Sequence, residues 1–436
     1  MNNRPNNKRK RSRRTGSWLI RILMTLLILS VCVMVFFVLR QGNMAAAVRQ
    51  GITLTPETTL PPPTQETAPA ETEPSTEPST EPTEPADPVL ELAERYLQEM
   101  SLEEKLCQMF FTTPDTLTEV YGAAQAMEGT QAALEAYPVG GILYERQNMQ
   151  NAGQLSTMIS NSQSYSTLPL FIAVAEEGGS VAPLTSIGAT SYYSTMAVYG
   201  EEENIQRVGE IGLEMAEDLL ALGINVNLAP VADVQTNPAN TEIGDRSFGA
   251  DSAITTQLAL TMLQSLEEGG VTACVKYFPG LASADGNSEN GQVISQRTLD
   301  ELRQAELLPF VSAIENGARM MIVSHMSLPA VAGDETPCSL SRIVVTDLLR
   351  VDLGYEGLIL TDALDKGAIT DHYEGGEAAV QAVEAGCDIL LQPENLEETL
   401  AALLTAVEEG RLTEERINES VLRILYLKLE MGLISE

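Results

Sequence analysis

GLILTDALDKGAI, residues 357–369, carries a short apolar strand, Leu358-Ile359-Leu360, that runs into Thr361 and the acid Asp362. In a parallel barrel the C-terminal end of such a strand is where an active site is built. On this stretch alone Asp362 is either a catalytic carboxylate or a residue that caps the next turn. The choice depends on what the rest of the chain places around it.

Working outward, seven more apolar runs have the same character: LCQMFF (106–111), VGGILY (139–144), LPLFIAV (168–174), INVNLAPVADV (224–234), VTACVKYF (271–278), MMIVSHM (320–326) and CDILLQ (387–392). They are continuous rather than alternating, as expected of strands buried on both faces. Helical segments separate most of them, including 151–163 and the amphipathic 204–222. The first run follows SLEEK, where Ser101 and Glu104 have capping-box spacing. Eight strand-helix units over residues 88–436 predict a (β/α)8 TIM-type barrel, closed by helices over 396–409 and 413–433. No glycine-rich phosphate loop follows the first strand, so a nucleotide-binding sheet has no support.

The first 87 residues are of a different kind. Residues 1–17 are basic, and residues 22–39 hold no acid or base; extended back to Trp18, the segment 18–40 is expected to be a transmembrane signal-anchor. A cleaved signal peptide ending near Ala45-Ala46-Ala47 is the competing expectation. Residues 41–87, typified by PPPTQETAPAETEPSTEPSTEPTEP, cannot bury enough apolar surface to fold and form a disordered spacer by composition. This predicts a single-pass protein of the bacterial cell membrane with its C-terminal domain outside, the lipid bilayer being one partner.

The 436 residues carry a formal charge of −35. The first 50 residues hold ten of the 26 Lys and Arg and none of the 61 acids, so the remainder stands at 16 minus 61, or −45. Such a polyanion is not expected to bind nucleic acid. The cysteines Cys32, Cys107, Cys274, Cys338 and Cys387 form no CxxC and no ligand spacing, so neither a disulfide framework nor a metal site is expected.

Polar residues at strand ends converge on the barrel mouth: Asp233 after INVNLAPVA, Asn240 and GDRSFG (244–249) beyond it, Lys276-Tyr277-Phe278-Pro279-Gly280, Ser324-His325-Met326, and Thr361-Asp362. Lys, Arg, His and Asp around a cavity suit a neutral polar ligand such as a sugar. Salt bridging at a loop base is the plainer role for Lys276 and Arg246, and His325 also fits a satisfied rim histidine.

Taken in order, SLEEKLCQMF, VGGILY, LPLFIAVAEEGG, LGINVNLAPVADV, IGDRSFG, KYFPG, SHMSLPA, the run from Cys338 to Leu364 and AVEAGCDILL resemble glycoside hydrolase family 3, in its single-domain bacterial β-N-acetylhexosaminidase branch. The resemblance spans residues 90–436. It implies that Asp362 is the catalytic nucleophile, that Arg246, Lys276, His325 and Glu177 line the sugar pocket with Asp233 beside or behind it, and that no cofactor takes part. The implied ligand is a β-linked N-acetylhexosaminyl glycan, such as a peptidoglycan fragment, cleaved with retention. That mechanism needs a proton donor about 5 Å from the nucleophile.

The resemblance implies an Asp-His donor on the loop after KYFPG, and here the chain departs from it. Tyr277 and Leu281 stand where histidines are expected, Ala175 where an aspartate is, and Ser180 where an arginine is. Loop 281–302 has no histidine, and Asp285 or Glu289 is the substitute acid it offers. The other histidine, His372, follows Asp371 on what reads as an exposed loop. These departures support a second reading, a catalytically impaired barrel that binds glycan or acts as a scaffold.

Overall fold

Eight parallel strands make the centre of the molecule: β1 (Phe110–Thr112), β2 (Gly141–Leu143), β3 (Phe171–Val174), β4 (Val226–Asn227), β5 (Thr272–Phe278), β6 (Met320–Val323), β7 (Leu358–Thr361) and β8 (Leu390–Leu391). Every strand residue is buried, which explains the uninterrupted apolar runs. The computed structural model describes residues 87–374 and 376–435. The basic segment, the proposed anchor and all of the spacer but Asp87 lie outside the described residues. Among the described residues no helix is long and apolar enough to cross a membrane.

The strands follow the order β7-β6-β5-β4-β3-β2-β1-β8, each paired in parallel with its neighbours. Representative registers are Ile142 opposite Ile172, Cys274 opposite Met320 and Ile322 opposite Leu360. A parallel bridge between Leu360 and Ile389 brings β7 against β8 and closes the ring. Helices connect the strands on the outside, as a (β/α)8 barrel requires.

Most strands are shorter than their apolar runs, and two show why. Residues 106–108 of LCQMFF belong to the helix Leu102–Gln108, because the Ser101–Glu104 capping box starts that helix and Leu106, Cys107 and Gln108 form its buried last turn. Of INVNLAPVADV only Val226–Asn227 is strand. Pro230 has no N–H to give a ladder, and pairing resumes at a single bridge between Val231 and Lys276. The helix Ile205–Leu222 follows its predicted span closely, with Asn204 capping its first turn and Gly223, at φ +89°, ending it.

At the end of the barrel remote from the mouth, Asp388 is fully buried and gathers several elements. It accepts from Ile359 N at 3.0 Å, Arg350 Nη2 at 2.7 Å and Ser420 Oγ at 2.6 Å. One carboxylate thus ties β7, the start of β8 and the helix Glu414–Glu430 together. From that helix Lys428 enters the interior, where it donates to Gln108 Oε1 at 2.8 Å and lies over the Phe171 ring at 5.1 Å.

Candidate active site

Side chains at the C-terminal ends of the strands enclose a cavity of about 620 Å³. Glu145 and Arg146 follow β2, Ala175, Glu177 and Ser180 follow β3, Lys276 and Tyr277 end β5, and Asp362, Ala363 and Lys366 follow β7. Glu242, Arg246 and Glu289 enter from the loops after β4 and β5.

The turn after β3 depends on its two acids pointing different ways. Asn227 of β4 pairs with the backbone of Glu176 through both amide atoms at 3.0 Å. The Glu176 carboxylate folds back to accept from Leu184 N at 2.8 Å and from Thr185 N at 3.1 Å. Gly178 and Gly179 have φ of +93° and +58°, and a Cβ on Gly179 would lie 2.6 Å from Thr195 Cγ2. The turn therefore presents Glu177 to the cavity wall.

Glu177 receives two cations. Arg246 grips it in a bidentate pair, with Nε to Oε2 and Nη2 to Oε1 both at 2.8 Å, and Lys276 makes a short ion pair with Oε1. Burial alone would raise the Glu177 pKa; Lys276 and Arg246 outweigh it and hold the carboxyl at about 2. Arg246 also donates to Glu242 O at 3.0 Å and Tyr277 Oη at 2.7 Å. Lys276 makes one ion pair among the described residues, and an ammonium has three donors, so it keeps hydrogen-bonding capacity for a ligand.

Tyr277 is the centre of a cationic group. Lys276 Nζ, Arg246 Cζ and Lys366 Nζ stand 5.1, 5.2 and 5.6 Å from its ring centroid, within cation–π range. Its backbone is fixed by Asp233, which accepts from Tyr277 N at 2.8 Å and Ala282 N at 2.7 Å. Asp233 is completely buried and does not line the cavity; it shapes the wall from behind. Burial raises its carboxyl to about 7 against the opposing pull of those two N–H groups.

Asp362 sits at the cavity floor with both oxygens engaged, Oδ1 by Ala363 N at 2.9 Å and Oδ2 by Lys366 Nζ at 2.9 Å. Burial pushes its pKa up, and the Lys366 ammonium turns the balance, so Asp362 is held below the ordinary aspartate value. His325 stands behind it, fully buried. Its Nε2 meets Ala363 O at 2.8 Å and so carries the proton, while Nδ1 accepts from Ser339 Oγ at 2.7 Å. Burial lowers the His325 pKa and favours this neutral form, which leaves Lys366 as the cation directly bonded to Asp362.

The two candidate acids on loop 281–302 separate cleanly. Asp285 accepts from Asn237 Nδ2 at 2.7 Å and does not line the cavity. Glu289 does line it, with Oε1 3.2 Å from Lys366 Nζ. Since Asp362 Oδ2 lies 2.9 Å from the same nitrogen, the two carboxylate oxygens are at most about 6 Å apart, the sum of the two separations. That bound is compatible with the ~5–5.5 Å of a retaining pair.

Several site residues are not evident from sequence. Lys366 lies four residues after Asp362 in an irregular stretch and reads there as a turn charge. Glu242 lies 3.7 Å from Lys366 and accepts from Ser288 N at 2.9 Å and Ser288 Oγ at 2.5 Å, so it anchors the loop that carries Glu289. Leu281 is buried in the core, and His372 is exposed and off the cavity wall. Ala175 and Ser180 do line the cavity, so these two departures leave the wall less polar.

Residues 101–427 match the glycosyl hydrolase family 3 N-terminal domain. Beta-hexosaminidase A of Pseudoalteromonas piscicida is 32% identical over 326 residues, which cover 68% of this chain and 54% of that protein. Beta-hexosaminidase LpqI of Mycobacterium tuberculosis is 32% identical over 340 residues, 76% of this chain and 83% of that one. Among solved structures, a glycoside hydrolase family 3 beta-N-acetylglucosaminidase from a Paenibacillus species superposes with a TM-score of 0.72 at 34% identity, over 77% of this chain and 64% of that chain. The chain thus spans about half the length of the first of these relatives and just under two thirds of the last.

Proposed function

The chain belongs to glycosyl hydrolase family 3, and on that premise we propose that it is a retaining glycoside hydrolase acting on β-linked N-acetylhexosaminides of the GlcNAc type. Asp362 is the nucleophile and Glu289 the acid and base. In the first step Asp362 attacks the anomeric carbon while Glu289 passes its proton to the departing oxygen, leaving a glycosyl ester and a Glu289 carboxylate. In the second, water gives a proton to Glu289 and attacks the ester, releasing the sugar and restoring both groups.

One observation carries this reading: Asp362 and Glu289 face the same cavity at a separation within about 6 Å. Glu242 is the poorer donor because both its oxygens already accept from Ser288. Lys276 supplies free donors for substrate hydroxyls, and Glu177 keeps it and Arg246 in place. Ala175 and Ser180 leave fewer polar groups for substrate hydroxyls, which is expected to weaken binding of the transition state as well as of the ground state.

The natural substrate we propose is a cell-wall glycan, reached from the membrane by a domain carried on the spacer 41–87. The support is the order of basic segment, apolar run and spacer in the sequence.

The test is hydrolysis of an aryl N-acetyl-β-glucosaminide by the full-length chain in detergent, followed by NMR of the fresh product. A β-anomer as first product, and its loss in Asp362→Asn, is the expected result. No turnover across a panel of aryl glycosides would overturn the assignment.

A further inference from the structure

We propose that Lys366 is a positioning residue, a shared counter-ion that spans the nucleophile and the proton donor and stays paired as negative charge moves between them. The inference rests on the hydrolase reading above and adds to it a residue that neither sequence motif nor comparison assigns. Its ammonium lies 2.9 Å from Asp362 Oδ2, 3.2 Å from Glu289 Oε1 and 3.7 Å from Glu242 Oε1. Lys366, Asp362 and Glu242 are all nearly buried, so those pairs escape the screening of open surface, while Glu289, 60% exposed, meets the ammonium from the solvent side of the cavity.

The balance of charge gives the arrangement its purpose. In the reactive form that the proposed mechanism requires, Asp362 carries the charge and Glu289 the proton. When the ester forms, Asp362 loses its charge and Glu289, having given up its proton, acquires one. Hydrolysis of the ester reverses both changes. The number of carboxylate charges around Lys366 is the same before and after each step, and the ammonium changes partner without leaving its place. A fixed cation aimed at both termini of a charge transfer requires no reorganisation at the moment of reaction.

Lys366 is not itself the proton donor. Burial lowers its pKa, and Asp362, Tyr277, Glu289 and Glu242 together reverse that effect and raise it well above the ordinary lysine value. The groups facing it are Asp362 after β7, Tyr277 at the end of β5, Glu289 on its loop, Glu242 after β4 and, next to it in the chain, Asp365, whose carboxyl is pushed up to about 6 by burial. Behind Asp362, the neutral His325 completes the set. The close approach of the loop is built in: a Cβ at Gly367 would lie 2.8 Å from Glu289 O, so only glycine lets the loop backbone pack beside Lys366.

Lys366→Met keeps the chain length and removes the charge; Lys366→Arg keeps a charge. The full-length wild type, both variants and Asp362→Asn are compared on the aryl glycoside as kcat/KM against pH, with melting curves to establish folding. Lys366→Met is expected to move the acid limb, set by Asp362, upward by about one pH unit or more and to lower kcat about 10- to 100-fold. Lys366→Arg is expected to bring the acid limb back toward the wild-type position. A folded Lys366→Met protein with the wild-type limb and wild-type kcat overturns this inference while leaving the hydrolase assignment standing. A wild type without turnover overturns the assignment and the inference with it.

Discussion

Glu289 reaches the cavity from a short turn whose neighbours are all tied down: Asn287 caps it, Ser288 is held by Glu242, and Gly367 packs beneath it. The loop thus presents this acid, while Asp285 is spent on Asn237. Replacing Glu289 by Gln should lower kcat/KM about 10²- to 10⁴-fold for a sugar leaving group, which needs protonation. The loss should be far smaller for an activated aryl group, and azide should restore turnover by attacking the glycosyl ester. Asp285→Asn should remain within a few-fold of wild type; equal losses in both variants would contradict the assignment. The strand-end residues Asp362, Lys276 and Glu177 were legible in the sequence because a barrel strand's terminus fixes where its next side chain goes. Glu289 and Asp285 were not separable there, since loop composition says nothing about path. Lys366 was not legible as a shared cation: Asp362 is four residues away, but its other partner acids lie 77 and 124 residues away in the chain, at 289 and 242. Tyr277 read only as a lost histidine, whereas its ring is the surface that three cations share.

Strands and helices declare themselves here through burial. Runs apolar on both faces gave all eight strands, and errors occur where an apolar run has more than one use, as at Leu106–Gln108, which is helix. The helix Glu414–Glu430 illustrates a consequence of such packing. Its Lys428 is buried without a carboxylate, and burial lowers its pKa from 10.5 to about 7. Between those values the unfolded chain holds a proton that the folded chain does not, so stability rises with pH through that window; below it the burial penalty is fully present. Burial pushes up the thiols of Cys107, Cys274, Cys338 and Cys387 and so opposes this rise above about pH 8. The Lys428 contribution is therefore the difference in thermal-midpoint slope between wild type and Lys428→Met over about pH 7.5 to about pH 9.5. Lys428→Met should flatten that rise and raise the midpoint at neutral pH. Equal slopes in wild type and variant, followed by calorimetry, would show that Lys428 does not titrate as described.

At the scale of the whole molecule, charge and connection act together. The portion beyond residue 50 carries −45, from 16 basic and 61 acidic residues, a field that repels polyanions and leaves neutral glycans unaffected. The fold was legible at this scale because eight similar units leave few architectures open; the arrangement of the first 86 residues rests on hydropathy and composition alone. The membership in glycosyl hydrolase family 3 joins these scales, since the chemistry proposed for Asp362 and Glu289 rests on it. The central claim is that Asp362 forms a covalent glycosyl ester, and trapping that ester tests it most directly. The full-length chain is incubated with a fluorinated N-acetylglucosaminyl inactivator, digested and sequenced by mass spectrometry. The account predicts one sugar per chain, attached at Asp362 and absent from Asp362→Asn. A label on another residue, or inactivation without any covalent sugar, would contradict it.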